Sequence, residues 1–414
     1  MQQARTSGID RDMLIIMLAG GLVLALSFGV RSVFGGVVLP LSDDLFAGRI
    51  EIFSLSIAIQ NLVWGLAQPF FGMLADKFGD RRALWLGFAC YVLGMVICVF
   101  GVSPFAQHMG AGVLVGMGVS GTAFGTVLAV VGRAAPAEKR GFYLGVASAM
   151  GSAGQAVLPL LTAFLISRFD WQTTLLIITA LLAPMALAIP FLHVKNKGAA
   201  AESEIDLPQT IRAAFGHGSF VMLAAGFFVC GFHLAFITAH LPNYVQNFCT
   251  GTTLSAPELR ALGLKALALA GFANIFGTLI AARLGNFFAK PHVLAAIYAL
   301  RAVVILVFIW LPLTPVSVLV FGLVMGVLWL STVPLTSALI VVMFGPRAMG
   351  TLFGFVFLSH QLGGFAGVWL GGAWFDRYGN YDVIWYSAIA LGILSAAIHL
   401  TVRERAAPAI AAPA

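Results

Sequence analysis

The sequence predicts an all-α integral membrane protein with twelve transmembrane helices in two six-helix bundles. Composition is the first observation: 60% of the 414 residues are hydrophobic and only 9% are charged, where soluble proteins carry about a quarter charged. Mean hydropathy of +0.98 agrees. The second is a series of twelve apolar runs, each near or above the roughly 20 residues that cross a bilayer. The third is the placement of the bases. The net charge of +7 is scattered over short connections instead of clustering on one face, so it reads as the positive-inside bias of a multi-span protein and not as a nucleic-acid surface.

Taken in order, the runs lie near 13–40, 52–75, 83–102, 104–132, 141–167, 170–193, 219–245, 259–289, 291–311, 315–344, 349–374 and 381–402. Residues 1–12 are polar and lead into a run too long for a signal-peptide core, so the first span itself is the targeting signal. The one sizeable polar interval, 193–218, carries an Ala-Glu-Ser mix and Pro208 and reads as a linker with room for a short interfacial helix. The chain therefore divides into an N-terminal bundle (1–192), a cytoplasmic linker (193–218) and a C-terminal bundle (219–414). With the N-terminus inside, the cytoplasmic connections collect Lys77, Arg81, Arg82, Arg133, Lys139, Arg140, Lys195, Lys197 and Arg347, among others. The outer ones hold most of the free acids, including Asp43, Asp44, Glu51 and Asp376. Both termini are thus expected in the cytoplasm and the protein in the cell (inner or plasma) membrane. Three of the four cysteines fall in apolar runs, with no disulfide framework or metal spacing.

Between the second and third runs stands Gly72-Met-Leu-Ala-Asp-Lys-Phe-Gly-Asp-Arg-Arg82, a dense polar turn between two spans. Gly72 permits close backbone approach, Gly79 permits positive φ, and Asp76 can face an arginine or a helix N-terminus. Weak echoes link the halves: Asp76-Lys-Phe-Gly79 with Ala282-Arg-Leu-Gly285, and Leu144-Gly145…Gly154 with Phe353-Gly354…Gly363. A parallel repeat of six helices implies a pseudo-twofold along the membrane normal. Glycines at three- and four-residue spacing in the fourth and fifth runs mark close helix packing in lipid, with or without a role in sliding.

Every acid is read as lying in a loop or tail, yet Arg31 and Arg301 fall inside the first and ninth runs. An intramembrane charge is expensive and faces a cavity or a partner. With no carboxylate at depth, that partner is either a set of main-chain carbonyls or an anion arriving from outside, and guanidinium matches a carboxylate well. The same absence weighs against organic cations as cargo. Arg31 is the lead candidate; Arg301 either reaches the site or braces neighbouring helices. Asn61, Asn274, His360 and Gln361 add polar groups at similar depth, each open to a helix-packing role. His233 and His240 share a stripe but lie about 10 Å apart along a helix, too far for a metal pair. His233 or His360 is the titratable group available if a proton is co-transported. No hydrolase elbow, metalloprotease helix or phosphate loop appears, so no enzyme, cofactor or metal is expected.

The Gly72–Arg82 run resembles the signature between helices 2 and 3 of the major facilitator superfamily, with Asp80 standing where that family usually has a base. Arg31 with its following Phe-Gly, Gln60-Asn61…Trp64-Gly-Leu-Ala-Gln-Pro69, Gly231-Phe-His…His240-Leu-Pro242, Asn274-Ile-Phe-Gly277, Leu300-Arg301 and Ser359-His-Gln-Leu-Gly-Gly364 are similar to the monocarboxylate and oxalate–formate branch. The resemblance covers essentially the whole chain. It implies the superfamily's two-bundle fold and alternating-access transport of a small organic anion, with a proton or in exchange. It further implies a gate built from Gly72, Asp76, Lys77, Gly79, Arg81 and Arg133, with Asp76 meeting helix 11 and the Arg133 region. The superfamily's helix 4 arginine is missing around Gly112. The expectation is a proton-coupled carboxylate transporter with Arg31, Arg301, His360, Asn61, His233, Asn274 and Gln361 around the substrate. An anion exchanger on the same fold, a drug efflux pump and a non-transporting membrane sensor are the alternatives.

Overall fold

A computed structural model of the chain describes residues 11–136, 140–193 and 207–407; Lys139, Lys195 and Lys197 and the side chains of Asp76, Arg140 and Arg347 lie outside the described set. Among the described residues there are twelve helices long and apolar enough to cross a membrane. They are α1 (Arg11–Phe46), α2 (Ile50–Ala75), α3 (Asp80–Phe100), α4 (Pro104–Ala134), α5 (Tyr143–Ile166) and α6 (Trp171–Phe191). The second six are α7 (Gly218–Phe248), α8 (Ala256–Phe287), α9 (Lys290–Trp310), α10 (Pro315–Gly345), α11 (Met349–Tyr378) and α12 (Asp382–Thr401). Because the number is even, both described ends lie on one face, called here the terminal face; the opposite one is the far face. A further helix, Leu207–Gly216, sits in the segment read as a linker and places Phe215 against Phe220 and Phe355.

Local signals set the helix starts at the far face. Ser103 accepts the Ala106 N–H ahead of Pro104, and Thr314 accepts the Ser317 N–H ahead of Pro315. Ser255 and Glu258 form a capping box around Pro257. Proline tolerates this first turn because its missing N–H would be unpaired there anyway. At the terminal face Gly79 turns with φ +94° between α2 and α3, as its place in the polar turn predicts. Its predicted counterpart does not turn: Gly285 stays helical, since α8 runs on to Phe287. A second positive φ, at Gly345, instead separates α10 from α11. Helices α1, α2 and α11 run past their apolar runs, so Asp43, Asp44, Glu51 and Asp376 stand in terminal helical turns and not in loops.

Small residues fix the packing. A methyl placed on Gly154 of α5 would overlap the Ala25 carbonyl of α1, and one on Gly363 of α11 would overlap the Phe228 carbonyl of α7. These are the two glycines that the internal repeat pairs, so the α1–α5 and α7–α11 crossings are the same device used twice. Gly231 of α7 likewise lies under the His360 carbonyl. Gly231→Ala is expected to destabilise the protein by about 1–3 kcal/mol, the usual cost of forcing a carbon into a filled contact. Thermal unfolding in detergent checks it, with Gly350→Ala, where a methyl meets nothing within 4 Å, as the neutral control.

Candidate functional site

Three helices break where the two halves face one another. Helix α1 is interrupted at Val33, two residues after Arg31; α4 is interrupted at Ala123; α10 is interrupted over residues 329–331. A broken helix frees backbone groups that lipid cannot satisfy, so breaks survive only in protein or beside a cavity. Here they border a cleft of about 720 Å³, counted out to its mouth and lined from α1, α2, α4, α5, α7, α10 and α11.

Arg31 lines this cleft. Its Nη2 donates to Asn61 Oδ1, Asn61 donates in turn to the Ile57 carbonyl at 2.9 Å, and the guanidinium carbon lies 4.9 Å from the centre of the Trp64 ring. Its Nε has no partner. No acid is among the residues lining the cleft, so the positive charge has an amide oxygen and a ring face but no counter-charge. Toward the far face the space narrows to a pinch between Phe34 and Gly35 of α1 and Thr238 and Ala239 of α7.

The other buried arginine behaves differently. Arg301 is fully buried and donates to the main-chain carbonyls of Leu328, at 2.6 and 3.1 Å, and of Trp329. These are the groups freed by the α10 break. Asn274 serves the same break: its Oδ1 accepts the Leu330 N–H at 2.8 Å, and its Nδ2 donates to Ser152 of α5 at 3.0 Å. Neither residue lines the cleft. Of the two roles open to Arg301, the geometry supplies bracing; Asn274 joins α8, α5 and α10. Arg301→Met is therefore expected to lower stability by about 1–3 kcal/mol for each carbonyl left unpaired with little change in ligand affinity. Paired thermal-unfolding and binding measurements check it.

The histidines divide similarly. His233 Nε2 donates to the Ala388 carbonyl of α12 at 2.8 Å, and His240 Nε2 donates to the Val368 carbonyl at 2.8 Å. Both rings are buried inside the second half and away from the cleft, so His233 is not brought to the site. His360 is: it lines the cleft, stacked on Phe357 with ring centres 5.6 Å apart. Its Nδ1 lies 3.0 Å from Gln361 Oε1; an amide oxygen only accepts, so Nδ1 carries the hydrogen. Gln361 itself is buried against Gly65 of α2, with Nε2 unpartnered. The structure thus brings Arg31 and His360 to the cleft, places Asn61 at the pinch as the partner of Arg31 and Gln361 behind His360, and puts Arg301, Asn274 and His233 elsewhere. Among the described residues no cluster of His, Cys, Asp or Glu is arranged to hold a metal.

The cleft is closed at the far face. A methyl on Gly35 would run into the Thr238 carbonyl, and Gly36 abuts Leu264 of α8. Asp376, in the last turn of α11, accepts the N–H groups of Ile50 and Glu51 at 3.0 and 2.8 Å, fastening the start of α2 with a charge-assisted pair. At the terminal face, by contrast, methyls on Gly72, Gly145, Gly350 and Gly354 would meet nothing. The polar turn there differs from the expectation. Arg133 pairs with Asp80, the residue that departs from the family pattern, and Arg81 donates to His193 at 2.8 Å. The first pair stays within the first half and the second ties that half to the start of the linker. The Asp76 side chain lies outside the described residues; Lys77 is exposed beside Phe78. Sequence reasoning missed Asp376, read as a loop acid, and the cleft rings of Phe124, Trp329 and Phe357, which nothing in an apolar run separates from lipid-facing aromatics.

Comparison with known proteins agrees with this architecture. The chain is 26% identical over 385 residues to an uncharacterized MFS-type transporter, YcxA, of Bacillus subtilis (strain 168), spanning 89% of this chain and 90% of that one. It is 27% identical over 168 residues to monocarboxylate transporter 6 of Mus musculus, covering 41% of this chain and 35% of the relative. The crystal structure of a D-xylose-proton symporter superposes with a TM-score of 0.73 at 15% identity, over 94% of this chain and 97% of the other, a likeness of fold. The sequence profile of the Major Facilitator Superfamily matches residues 20–368. A twelve-helix chain with a central cleft between two packed halves, matched by that profile over most of its length, belongs to the Major Facilitator Superfamily.

Proposed function

We propose that this protein is a secondary transporter of a small organic carboxylate, held in the cleft by Arg31 and carried by alternating exposure of that cleft to the two faces. The observation that carries the proposal is the Arg31 guanidinium, which lines the cleft with Asn61 as its hydrogen-bond partner and no acid beside it. A cation stranded at that depth is stabilised by whatever anion arrives, and its fork suits a carboxylate. Asn61 orients the guanidinium. His360, the other titratable side chain on the cleft wall, takes the co-transported proton. The bases at the terminal face make it the cytoplasmic one, so the conformation described is open inward.

Exchange of two anions is the second reading, and the missing counter-charge favours it. A carrier returning empty moves an unpaired guanidinium through a closed, dry site, which is costly; a carrier returning with another anion does not. Proteoliposome experiments separate the readings. Proton symport predicts carboxylate uptake driven by an inward proton gradient and reduced at least 10-fold in His360→Gln. Exchange predicts counterflow with no pH gradient and no response to that substitution. Equal uptake by protein-free liposomes and proteoliposomes would remove transport altogether.

A further inference from the structure

The cleft wall carries information about the part of the substrate that Arg31 does not touch. Seven of its sixteen lining residues are Phe or Trp, and His360 adds an eighth ring. Six of the rings form a continuous belt across both halves. Phe124 packs on Phe28 at 4.6 Å between ring centres, Phe28 on Trp64 at 5.7 Å, Trp64 on Phe357 at 4.9 Å, Phe357 on His360 at 5.6 Å, and His360 on Phe227 at 5.2 Å. The Arg31 guanidinium lies over Trp64 in the middle of that belt.

Polar atoms are few along the wall, and several are already engaged. The Ser32 hydroxyl donates to the Gly29 carbonyl at 2.6 Å, and His360 Nδ1 donates to Gln361. Arg31 is the only lysine or arginine lining the cleft. A second carboxylate on the substrate would therefore sit against rings with no cation to meet it, and the several hydroxyl groups of a sugar or polyol would lose water and find only the side chains of Gln155 and Thr238. A flat π-face loses nothing by the same move, and rings pack on rings in offset or edge geometry with a preference beyond area alone.

We infer that the preferred substrate is an aromatic monocarboxylate: one carboxylate on Arg31 and a planar ring against the Trp64–Phe357–His360 stretch of the belt. This rests on the carboxylate reading above and adds the body of the molecule to its charged end. Sugars, polyols, short hydroxy acids and dicarboxylates are disfavoured by the same wall.

Isothermal titration of the purified full-length protein tests it, with benzoate, cyclohexanecarboxylate, lactate and terephthalate as probes. Benzoate is expected to bind at least 10-fold more tightly than cyclohexanecarboxylate, which has the same charge and similar size without the planar ring, and more tightly still than lactate or terephthalate. Phe357→Leu is expected to weaken benzoate about 10-fold and leave cyclohexanecarboxylate within 2-fold. Equal affinity for benzoate and cyclohexanecarboxylate in the wild-type protein, or tighter binding of lactate or terephthalate, overturns the aromatic assignment while the carboxylate reading stands. Undiminished benzoate affinity in Arg31→Ala overturns the carboxylate reading, and binding by none of the four acids overturns both. The wild-type comparison needs no variant to fold.

Discussion

Arg31→Ala is expected to lower carboxylate affinity about 100-fold or more, and Arg31→Lys about 10-fold, with uptake falling in parallel. Hydrogen bonds to a charged group contribute about 1.5–3 kcal/mol each, and every 1.4 kcal/mol is a factor of ten. Losing two such bonds together with the charge reaches two decades or beyond. Lysine restores the charge as a point without the fork, so it recovers part of the loss. The same substitution separates a binding arginine from a structural one. Arg31 has no counter-ion, so removing it relieves a stranded charge, and the alanine variant is expected to unfold at or above the wild-type temperature. Arg301 holds main-chain carbonyls at the α10 break, so its removal is expected to do the reverse. Calorimetry on both variants, beside binding titrations, checks the contrast.

Gly35→Val is expected to abolish net transport, and Gly354→Val to do so from the opposite side. In the closed far-face contact even a single methyl on Gly35 meets the Thr238 carbonyl, whereas one on Gly354 meets nothing within 4 Å. Steric insertion of this kind costs about 1–3 kcal/mol or more, enough to move a balanced two-state equilibrium by one to two decades. Gly35→Val holds the far face open. If alternating access closes α11 onto the first half at the terminal face, Gly354→Val prevents that closure and retains the state described here. Cysteine labelling at Thr238→Cys reads the difference: far-face reagents are expected to modify it at least 10-fold faster in Gly35→Val and no faster in Gly354→Val. Unchanged labelling in Gly35→Val with intact uptake would show that the Gly35–Thr238 contact is not a gate.

Much of the architecture was legible in the sequence because lipid leaves few choices. A run of twenty apolar residues must be a helix, and the twelve runs became twelve helices with ends shifted by a few residues either way. The glycine pairing of Gly154 with Gly363 was readable because only glycine fits a carbonyl-to-backbone crossing. At the site the result was mixed, for one physical reason: a buried polar residue has the same composition signature whether it meets a ligand or a broken helix. Arg31 lines the cleft with Asn61 as its hydrogen-bond partner, while Arg301 and Asn274 satisfy the backbone of α10. Nothing in Val-Leu-Trp-Leu-Ser-Thr, residues 327–332, announces that the helix stops there, so the demand those two side chains answer was invisible. The role of Asp376 was hidden for a related reason, since its partners, the N–H groups of Ile50 and Glu51, are 325 residues or more away. Asp80 looked like a lost base in the polar turn; it is instead the acid that pairs with Arg133.

The most direct test of the anion assignment is a double comparison of ligand and protein: dissociation constants of a carboxylic acid anion and its neutral primary amide, benzoate and benzamide, for wild-type protein and Arg31→Gln. A charge held by Arg31 predicts that the anion binds at least 30-fold more tightly than the amide in the wild type, and that this ratio collapses to within 3-fold in the variant. A ratio near one in the wild type, or an anion preference that survives in Arg31→Gln, would contradict it.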